Sequence, residues 1–403
     1  MQYDLIIIGA RCAGSPTAML LARKGYRVLL VDKATFPSDT ISTHIVWQPG
    51  MALLKRWGVS DRISQSNCPP ITKLTFDVGA VALVGCPVPA NGTREAYAPR
   101  RTVLDHILLE AAAQAGAEVR QGFAISEVVM DGNRVTGVRG ADRSGRTITE
   151  LGRLTIGADG LHSLVARTAG APEYNLRPTL ACWYYSYWSG LSLDGVVMYP
   201  RDRRAFGAIP TNDGLFCVPV AIAQRDLPAF RADVEGNFIR TLEIAPEFGE
   251  RVRAGRREER FRGMADVPNL FRKPYGPGWA LVGDAGYHKD PIMARGITDA
   301  FQDAERLADA IDRGFRGREP LEQALDEYEQ QRNAAVMPAF EMNCQFAALE
   351  PPPPPMLQLF AALAQNQHET DRFLGTIAGT VSIPEFFAPE NLERIVTTAK
   401  AGA

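Results

Sequence analysis

The sequence predicts an α/β protein whose parallel sheet carries a Rossmann-like nucleotide-binding unit, accompanied by a mostly antiparallel sheet and a helical C-terminus. Three observations predict this fold class. A strand, a tight turn, a helix and a strand follow one another within residues 4–33. Two further segments, 156–167 and 279–310, each contain a strand that ends in a turn of glycine and aspartate. Residues 71–99 and 178–270 carry short alternating strands with many turn residues.

Composition excludes several classes of protein. The chain of 403 residues is 46% hydrophobic and 22% charged, and its net charge of −2 gives no general attraction to nucleic acid or anionic membranes. Its six cysteines lie far apart without a C-x-x-C pair, and no apolar stretch is long enough to span a bilayer. We therefore expect reduced thiols, no stable membrane insertion and, because no signal peptide is recognised, a cytoplasmic location.

The first unit begins with the β-branched run from Tyr3 to Ile8, which predicts a buried parallel strand, and the chain turns at Gly9. Pro16 fits the first turn of the following helix because the N–H that proline lacks has no partner there. A second strand, "YRVLLVD", ends in Asp32, where an acidic residue binds a ribose hydroxyl. This arrangement predicts a dinucleotide site with its pyrophosphate at the helix N-terminus.

Arg11 occupies the position where the usual G-x-G-x-x-G fingerprint has its middle glycine. Its side chain either turns away from the pyrophosphate or reaches round to bind it. We expect the first, with the backbone N–H groups around Cys12 and Ala13 facing the phosphates, because the helix N-terminus already supplies a favourable field for them.

Two further motifs lie in "IGADGLHSLVAR" (156–167) and in the segment that begins "WALVGDAGYHKDPIMARG" at residue 279. Together with the first unit, they resemble the flavin-dependent monooxygenase and oxidoreductase family typified by para-hydroxybenzoate hydroxylase, with geranylgeranyl reductases and flavin halogenases as cousins. The resemblance covers roughly residues 1–340. It implies non-covalently bound FAD as the resident dinucleotide, with NAD(P)H as a transient co-substrate.

The resemblance also implies which residues bind FAD. Asp159 is implied to lie between FAD and the path of the nicotinamide. At the adenosine half, the implied contacts are the backbone of Ala124 with adenine, Asp32 and the adjacent Lys33 with the ribose, and Gly9, Ala13 and Gly14 with the pyrophosphate. At the flavin half, they are Arg101 with the phosphates or ribityl chain, Asp284 with the ribityl hydroxyls, Pro291 facing the isoalloxazine, and Gly296 and Ile297 with flavin N1 and O2. His44 falls in "SDTISTHIV" (38–46), which is more similar to the reductase and halogenase cousins, and is included as a residue near the flavin.

Some positions depart from the family pattern. Where many relatives have G-x-G before the last of these helices, this chain has Ala294-Arg295-Gly296, and Asp299 stands where asparagine is common. These differences concern the geometry at the pyrimidine edge of the flavin. Halogenation is disfavoured because "CWYYSYWSG" (182–190) lacks the signature W-x-W-x-I-P.

With the family's organisation, the fold is expected to be a Rossmann-like FAD-binding domain with a parallel sheet, interleaved with a mostly antiparallel sheet domain that binds substrate. The predicted boundaries are 1–70, 100–177 and 271–345 for the discontinuous FAD-binding domain, 71–99 and 178–270 for the substrate-binding sheet domain, and 346–403 for a C-terminal helical extension. "EPPPPPM" (350–356) is interpreted as a rigid polyproline spacer before that extension.

Other patterns leave alternatives open. The aromatic residues between Trp183 and Trp188 line a substrate pocket or fill the core of the sheet. The arginine-rich run 251–263 is interpreted as a solvated helix face rather than a nucleic-acid site. The five histidines show no metal-ligand spacing, so no metal is predicted, and no catalytic side chain is identified.

The leading functional hypothesis is an NAD(P)H-dependent FAD monooxygenase that acts on an aromatic or polycyclic small molecule. In this hypothesis O2 adds at flavin C4a, and the hydroperoxide passes its distal oxygen to an electron-rich carbon while the protein orients the substrate and excludes water. An alternative is an FAD-dependent reductase or dehydrogenase of a C–C double bond. A third hypothesis is a non-redox protein that contains FAD and binds a ligand.

Overall fold

The computed structural model describes residues 3–402 and confirms the predicted α/β fold class. The first ten strands are β1 (Tyr3–Ile8), β2 (Val28–Asp32), β3 (Pro70–Ile71), β4 (Leu74–Asp77), β5 (Ala82–Gly85), β6 (Ala96–Tyr97), β7 (Glu118–Gln121), β8 (Ala124–Asp131), β9 (Arg134–Ala141) and β10 (Thr147–Gly157). They are followed by β11 (Glu173–Arg177), β12 (Ala181–Ser189), β13 (Val196–Arg201), β14 (Arg204–Pro210), β15 (Phe216–Ala223), β16 (Arg256–Arg257), β17 (Arg262–Met264), β18 (Asn269–Arg272), β19 (Tyr275–Gly276), β20 (Trp279–Leu281) and β21 (Tyr287–His288).

The helices of the described residues connect these strands and form the C-terminal part of the chain. They are α1 (Gly14–Arg23), α2 (Gln48–Arg56), α3 (Ser60–Ser64), α4 (Arg101–Gln114), α5 (Leu164–Ala169), α6 (Leu227–Ala232), α7 (Val234–Leu242), α8 (Pro246–Ala254), α9 (Gly296–Phe315), α10 (Leu321–Ala347), α11 (Pro354–Leu363), α12 (Gln367–Ala378), α13 (Ile383–Phe386) and α14 (Pro389–Gly402).

The first sheet has the strand order β19-β20-β10-β1-β2-β7. Strands β20, β10, β1, β2 and β7 run parallel to one another, and all but a few of the residues of β1 and β2 are buried. Helices α1, α4, α9 and α10 cover one face of the sheet in a single large apolar cluster. The residues of the opposite face, among them Ile6, Ile8, Leu29 and Val31, are buried in a second apolar cluster. Because both faces of the sheet are covered, β1 and β2 are continuous apolar runs instead of alternating ones.

The second sheet has the order β16-β12-β15-β14-β13-β4-β5 and is antiparallel except where β13 runs alongside β4. Its two faces separate the aromatic residues of β12, because successive side chains of a strand point to opposite sides. Trp188 packs against α6–α8 on one face, whereas Tyr185 and Tyr187 pack on the other face in the cluster that includes the C-terminal helices. The aromatic run is therefore divided between two environments.

The proline-rich segment leads directly into the C-terminal helices. Pro354 already begins α11, and the side chains of α11 and α12 pack directly on the second sheet through Phe76, Phe360 and Phe373. The extended prolines therefore lie where the second sheet and the C-terminal helices meet.

Candidate active site

The turn between β1 and α1 requires glycine at two positions. Gly9 has a φ of +101°, and a Cβ built on it would lie 2.3 Å from the carbonyl oxygen of Ala158. A Cβ on Gly14 would lie 1.7 Å from the carbonyl oxygen of Gly9. Within the described residues, no protein group accepts a hydrogen bond from the N–H of Cys12 or Ala13. The turn thus presents free donors at the start of a helix, which is where an anion binds.

Asp32, at the end of β2, is fixed by two backbone donors. Its Oδ2 accepts from the N–H of Ala10 at 2.8 Å and its Oδ1 from the N–H of Ala34 at 2.7 Å. The carboxylate is only partly buried and borders the same cavity as the glycine turn, while Lys33 beside it is exposed. This placement suits an acceptor for ribose hydroxyls.

A buried carboxylate that the sequence analysis missed organises the other side of the turn. Asp105 of α4 is fully buried, and it accepts hydrogen bonds from Arg11 Nη1 at 2.6 Å, from Arg101 Nε at 2.9 Å and from the thiol of Cys12 at 3.3 Å. Burial raises the pKa of the Cys12 thiol, so it stays protonated and donates. The i, i+4 spacing of Arg101 and Asp105 on one helix was the available signal.

Arg11 is bound to this carboxylate, although it also borders the cavity. Its guanidinium also donates to the carbonyl oxygen of Ser38 at 3.1 Å and to Ser38 Oγ at 3.0 Å, and it lies over the ring of Phe36. The side chain therefore joins the glycine turn to the loop after β2 and to α4.

The glycine and aspartate turns after β10 and β20 meet the first turn because β20, β10 and β1 are consecutive parallel strands of the sheet. Asp159 Oδ2 accepts from the N–H of Leu164 at 2.7 Å, and its Oδ1 is buried without a partner in the described structure. Asp284 is exposed to the cavity and makes no hydrogen bond to a described residue. Its free carboxylate can accept hydroxyl groups of a ligand.

The N-terminus of α9 forms the far end of the cavity. The N–H groups of Gly296 and Ile297 meet no acceptor among residues 3–402. Nearby, buried Lys289 donates to Asp299 and, at 2.8 Å, to the hydroxyl of Tyr287, and Arg295 lies 3.7 Å from the same aspartate. Burial lowers the pKa of Lys289. The two departures from the family pattern, Arg295 and Asp299, are thus partners within one buried ion cluster.

The groups just described surround a cavity of about 670 Å³. Ten of the thirteen predicted cofactor residues line it: Gly9, Ala13, Asp32, Lys33, Arg101, Asp159, Asp284, Pro291, Gly296 and Ile297.

The three predicted residues that do not line this cavity are Gly14, Ala124 and His44. Gly14 packs behind the turn against Gly9. Ala124 begins β8, and its strand neighbours Phe123 and Ile125 line the cavity in its place. His44 is fully buried behind the wall, with its Nε2 hydrogen bonded to the hydroxyl of Tyr187 at 2.6 Å.

His44 belongs to a buried polar cluster beneath the loop after β2. Its backbone has a φ of +65°, and the guanidinium of Arg100 stacks over the ring of Tyr187 with its carbon 3.9 Å from the ring centre. Burial, together with the charges of Arg101 and Arg100, lowers the pKa of His44 to about 3. The imidazole is therefore neutral, and it contacts the cofactor cavity only through its neighbours.

A second cavity of about 570 Å³ adjoins the first, and five residues line both: Thr43, Trp183, Pro219, Pro291 and Ala294. We call it the apolar chamber. Most of its wall is apolar, from Ile45, Trp47, Phe76, Met198, Phe206, Ile209, Phe346, Leu349, Met356 and Phe360, and Pro351–Pro353 close one side. The proline segment that was interpreted as a spacer is thus part of a cavity wall.

Few ionisable groups border the apolar chamber. Among its described lining residues these are Tyr199, Arg201 and Glu350. Arg201 is already paired, because its Nη2 donates to Asp77 Oδ1 at 2.9 Å. The chamber therefore fits a neutral, largely apolar small molecule, and its volume is typical of small-molecule sites.

Small residues on β14 help to create this chamber. The strand ends in Ile209-Pro210, as the halogenase signature does, but Ala205 and Gly207 stand at the two tryptophan positions of that signature. Both line the apolar chamber.

Comparisons with known proteins define the class of this protein. Residues 2–232, more than half of the chain, match the FAD binding domain family. The chain therefore belongs to that family and is an FAD-dependent oxidoreductase. Among residues 3–402, no helix combines the length and the apolar character needed to cross a membrane.

The relatives differ in their activities. A tryptophan 2-halogenase of Chondromyces crocatus is 26% identical over 339 residues, which are 81% of this chain but only 64% of the halogenase. A digeranylgeranylglycerophospholipid reductase of Methanocella arvoryzae is 25% identical over 361 residues, 85% of this chain and 86% of the reductase. The structure of PqsL, described as a probable FAD-dependent monooxygenase from Pseudomonas aeruginosa, has a TM-score of 0.70 at 21% identity and covers 93% of this chain and 98% of its own.

The first cavity fits FAD. The free N–H groups at Cys12 and Ala13 suit the pyrophosphate, and those at Gly296 and Ile297 suit the electron-rich edge of a reduced flavin. The exposed carboxylate of Asp284 lies between these two ends of the site, as the ribityl hydroxyls require.

Proposed function

We propose that the protein is an FAD-dependent monooxygenase that inserts one atom of O2 into a neutral, apolar aromatic or polycyclic small molecule, with NAD(P)H as a transient electron donor. The observation that carries this proposal is the apolar chamber, which adjoins the FAD cavity and shares five lining residues with it. FAD, when bound, supplies both the acceptor for the hydride and the activation of O2.

The residues of the chamber contribute orientation and exclusion of water. Phe76 and Phe346 offer broad apolar faces to an aromatic ring, and Pro351–Pro353 line one side of the chamber. A dry chamber protects a reactive oxygen donor from hydrolysis, and a fixed substrate orientation sets which carbon meets it.

The shortage of acid–base groups also supports oxygen transfer. Arg201 is bound to Asp77, and the other ionisable lining residues within the described chain are Tyr199 and Glu350. A reductase must deliver a proton to carbon after hydride transfer, which an acid beside the substrate normally does. Transfer of oxygen to an electron-rich ring depends instead on the position of the ring and on the exclusion of water, which an apolar wall favours.

A C–C double-bond reductase is the second candidate. The similarity to the digeranylgeranylglycerophospholipid reductase over 85% of this chain favours it, as does the apolar wall, which would also accommodate an isoprenoid chain. In this case the double bond would reach the flavin past the same five residues that line both cavities.

Measuring how much labelled oxygen enters the product distinguishes the candidate functions. FAD-loaded protein is incubated with NADPH or NADH and a panel of neutral aromatic and polyprenyl compounds under ¹⁸O2, with catalase to correct for uncoupled peroxide. Monooxygenation predicts one ¹⁸O atom in the product for each NAD(P)H oxidised. Substrate that is reduced without label, also under anaerobic conditions, supports the reductase and contradicts our proposal. Retention of FAD with neither reaction would support a non-redox ligand-binding protein.

A further inference from the structure

One large side chain lies at the boundary between the two cavities, where a substrate would pass from the apolar chamber to the flavin. Of the five residues that line both cavities, Pro219 and Pro291 carry rigid rings and Thr43 and Ala294 are small. Trp183 remains, and its indole is 7% exposed. The orientation of this one side chain would therefore set the width of such a passage.

The indole is held by the carboxylate of Asp290, which also caps the turn at Pro291–Met293 and borders the FAD cavity. Trp183 Nε1–H donates to both carboxylate oxygens of Asp290, at 3.1 and 3.2 Å. Asp290 is 1% exposed, and burial raises its pKa to about 7 while the bond from Trp183 opposes the rise. Because both oxygens of one carboxylate accept from the indole N–H, rotation of the Trp183 side chain about its χ angles is restricted.

Asp290 itself is fixed from three directions. Its N–H donates to Asn269 Oδ1 at 2.7 Å, its Oδ1 accepts from the N–H of Ile292 at 3.0 Å, and its carbonyl oxygen accepts from Asn343 Nδ2 at 3.0 Å. Strand β18, the turn before α9 and helix α10 thus all hold this residue. A carboxylate anchored in this way can transmit a fixed orientation to the side chain that it binds.

We infer that Trp183 determines which ring sizes pass from the apolar chamber to the flavin, and that Asp290 is the positioning residue that keeps its indole in the passage. The inference rests on the proposed function in one respect, that the chamber receives the substrate. It adds a residue that selects substrates by the size of their rings, a property that the monooxygenase and the reductase proposals leave open.

The test measures access to the flavin without turnover. FAD-loaded protein is titrated with naphthalene and, separately, with pyrene, and binding is followed by the flavin absorption difference spectrum. The ratio of the two dissociation constants, pyrene over naphthalene, is the size selectivity. No NAD(P)H is present, so a failure to insert oxygen in the activity assay has no bearing on this result.

Two pairs of variants and a matched control carry the test. We expect Trp183→Ala to lower the ratio by about tenfold, and Trp183→Phe to lower it less. Asp290→Ala lowers the ratio with Trp183 still present, whereas Asp290→Asn, which keeps one acceptor oxygen for the indole, restores it to near the wild-type value. The control is Trp188→Phe, on the same strand but on the opposite face against Phe238, and it leaves the ratio unchanged.

Retained FAD and an unchanged near-ultraviolet spectrum of the flavin establish that each variant is folded. If the alanine variants are not folded, Trp183→Phe and Asp290→Asn still test the inference. An unchanged ratio in Trp183→Ala or, where that variant is not folded, in Trp183→Phe overturns the inference. So does an equal effect of Asp290→Ala and Asp290→Asn, or a flavin spectrum of the wild type that responds to neither probe.

Discussion

Arg11 Nη1 lies 2.6 Å from Oδ2 of the fully buried Asp105, so the arginine that replaces the middle glycine of the dinucleotide fingerprint is bound to the protein itself. Asp105 also holds Arg101, the residue expected to reach the phosphates or ribityl chain of FAD. One carboxylate thereby positions two arginines: both Nη atoms of Arg11 donate to protein groups, whereas those of Arg101 have no acceptor among the described residues.

The first prediction is that Arg11→Gly changes FAD affinity by less than tenfold, which is about 1.4 kcal/mol. The free energy of unfolding of the apoprotein should fall by about 1 to 3 kcal/mol, because the bonds to Asp105 and Ser38 are lost. Quenching of FAD fluorescence measures the affinity, and urea unfolding of the apoprotein measures the stability. Arg101→Met is the comparison, with a larger loss of affinity and Asp105 left without its second arginine. A loss of tenfold or more in Arg11→Gly would show that this guanidinium binds phosphate.

The second prediction concerns Asp284, whose carboxylate is exposed in the cavity. Asp284→Ala should weaken FAD binding by about 1.5 to 3 kcal/mol, since a charged acceptor of hydroxyl hydrogen bonds is removed. Because this carboxylate has no partner among the described residues, the stability of the apoprotein should hardly change. Asp309→Ala, on the outer face of α9 beside Lys24, is the matched control and keeps full affinity. Equal FAD affinity in the two variants would contradict the assignment of Asp284.

The convergence of the three motifs could be predicted because it follows from simple geometry. Gly9, Asp159 and Asp284 follow β1, β10 and β20, and the carboxyl ends of neighbouring parallel strands meet at one edge of a sheet. The sequence patterns of the buried strands and of the glycine turn are local, so the fold class and most of the residues of the cavity wall could be predicted from the sequence.

The apolar chamber could not be predicted from the sequence in the same way. Pro351–Pro353 and Phe76 are separated by more than two hundred residues and meet only through the packing of the C-terminal helices on the second sheet. Alternation along β12 predicts that Trp183 and Trp188 lie on opposite faces, but it does not say which face borders a cavity. Likewise, the burial of His44 depends on the stacking of Arg100 on Tyr187, for which the sequence carries no local signal.

The third prediction is a pH dependence of stability that originates in His44. The ordinary pKa of 6.5 applies in the unfolded chain, and burial lowers the pKa to about 3 in the folded protein. Between these values the unfolded state binds the extra proton, so stability is complete above pH 6.5 and is lost as the pH falls. From about pH 7 to about pH 5, this one group should remove about 2 kcal/mol from the free energy of unfolding.

His44→Asn isolates this contribution, since asparagine tolerates the positive φ and does not titrate. Asp290 acts in the opposite direction, because its pKa is raised to about 7 and the stability that it confers is lost as the pH rises. That term is common to both proteins and cancels in the difference. Urea unfolding at a series of pH values should therefore show the wild type losing its advantage over His44→Asn on acidification. A difference that stays constant with pH would refute the prediction.

The fourth prediction tests the apolar chamber by filling it. Ala205 lies on β14 in the apolar cluster that contains Trp183, and it lines the chamber. Ala205→Trp places an indole in that space, and Ala205→Val occupies less of it. The affinity for the neutral probe N-phenyl-1-naphthylamine should fall by at least about tenfold in Ala205→Trp and by less in Ala205→Val. FAD affinity should be unchanged in both, because Ala205 does not line the FAD cavity.

Overpacking of this kind costs about 1 to 3 kcal/mol of stability, so FAD retention and the thermal unfolding midpoint are measured beside probe binding. Ala232→Trp, on the exposed end of α6, adds the same side chain away from both cavities and should bind the probe as the wild type does. If Ala205→Trp retains FAD and still binds the probe with wild-type affinity, the probe lies elsewhere. The chamber would then not be the ligand site, and the proposed route past Trp183 to the flavin would lose its starting point.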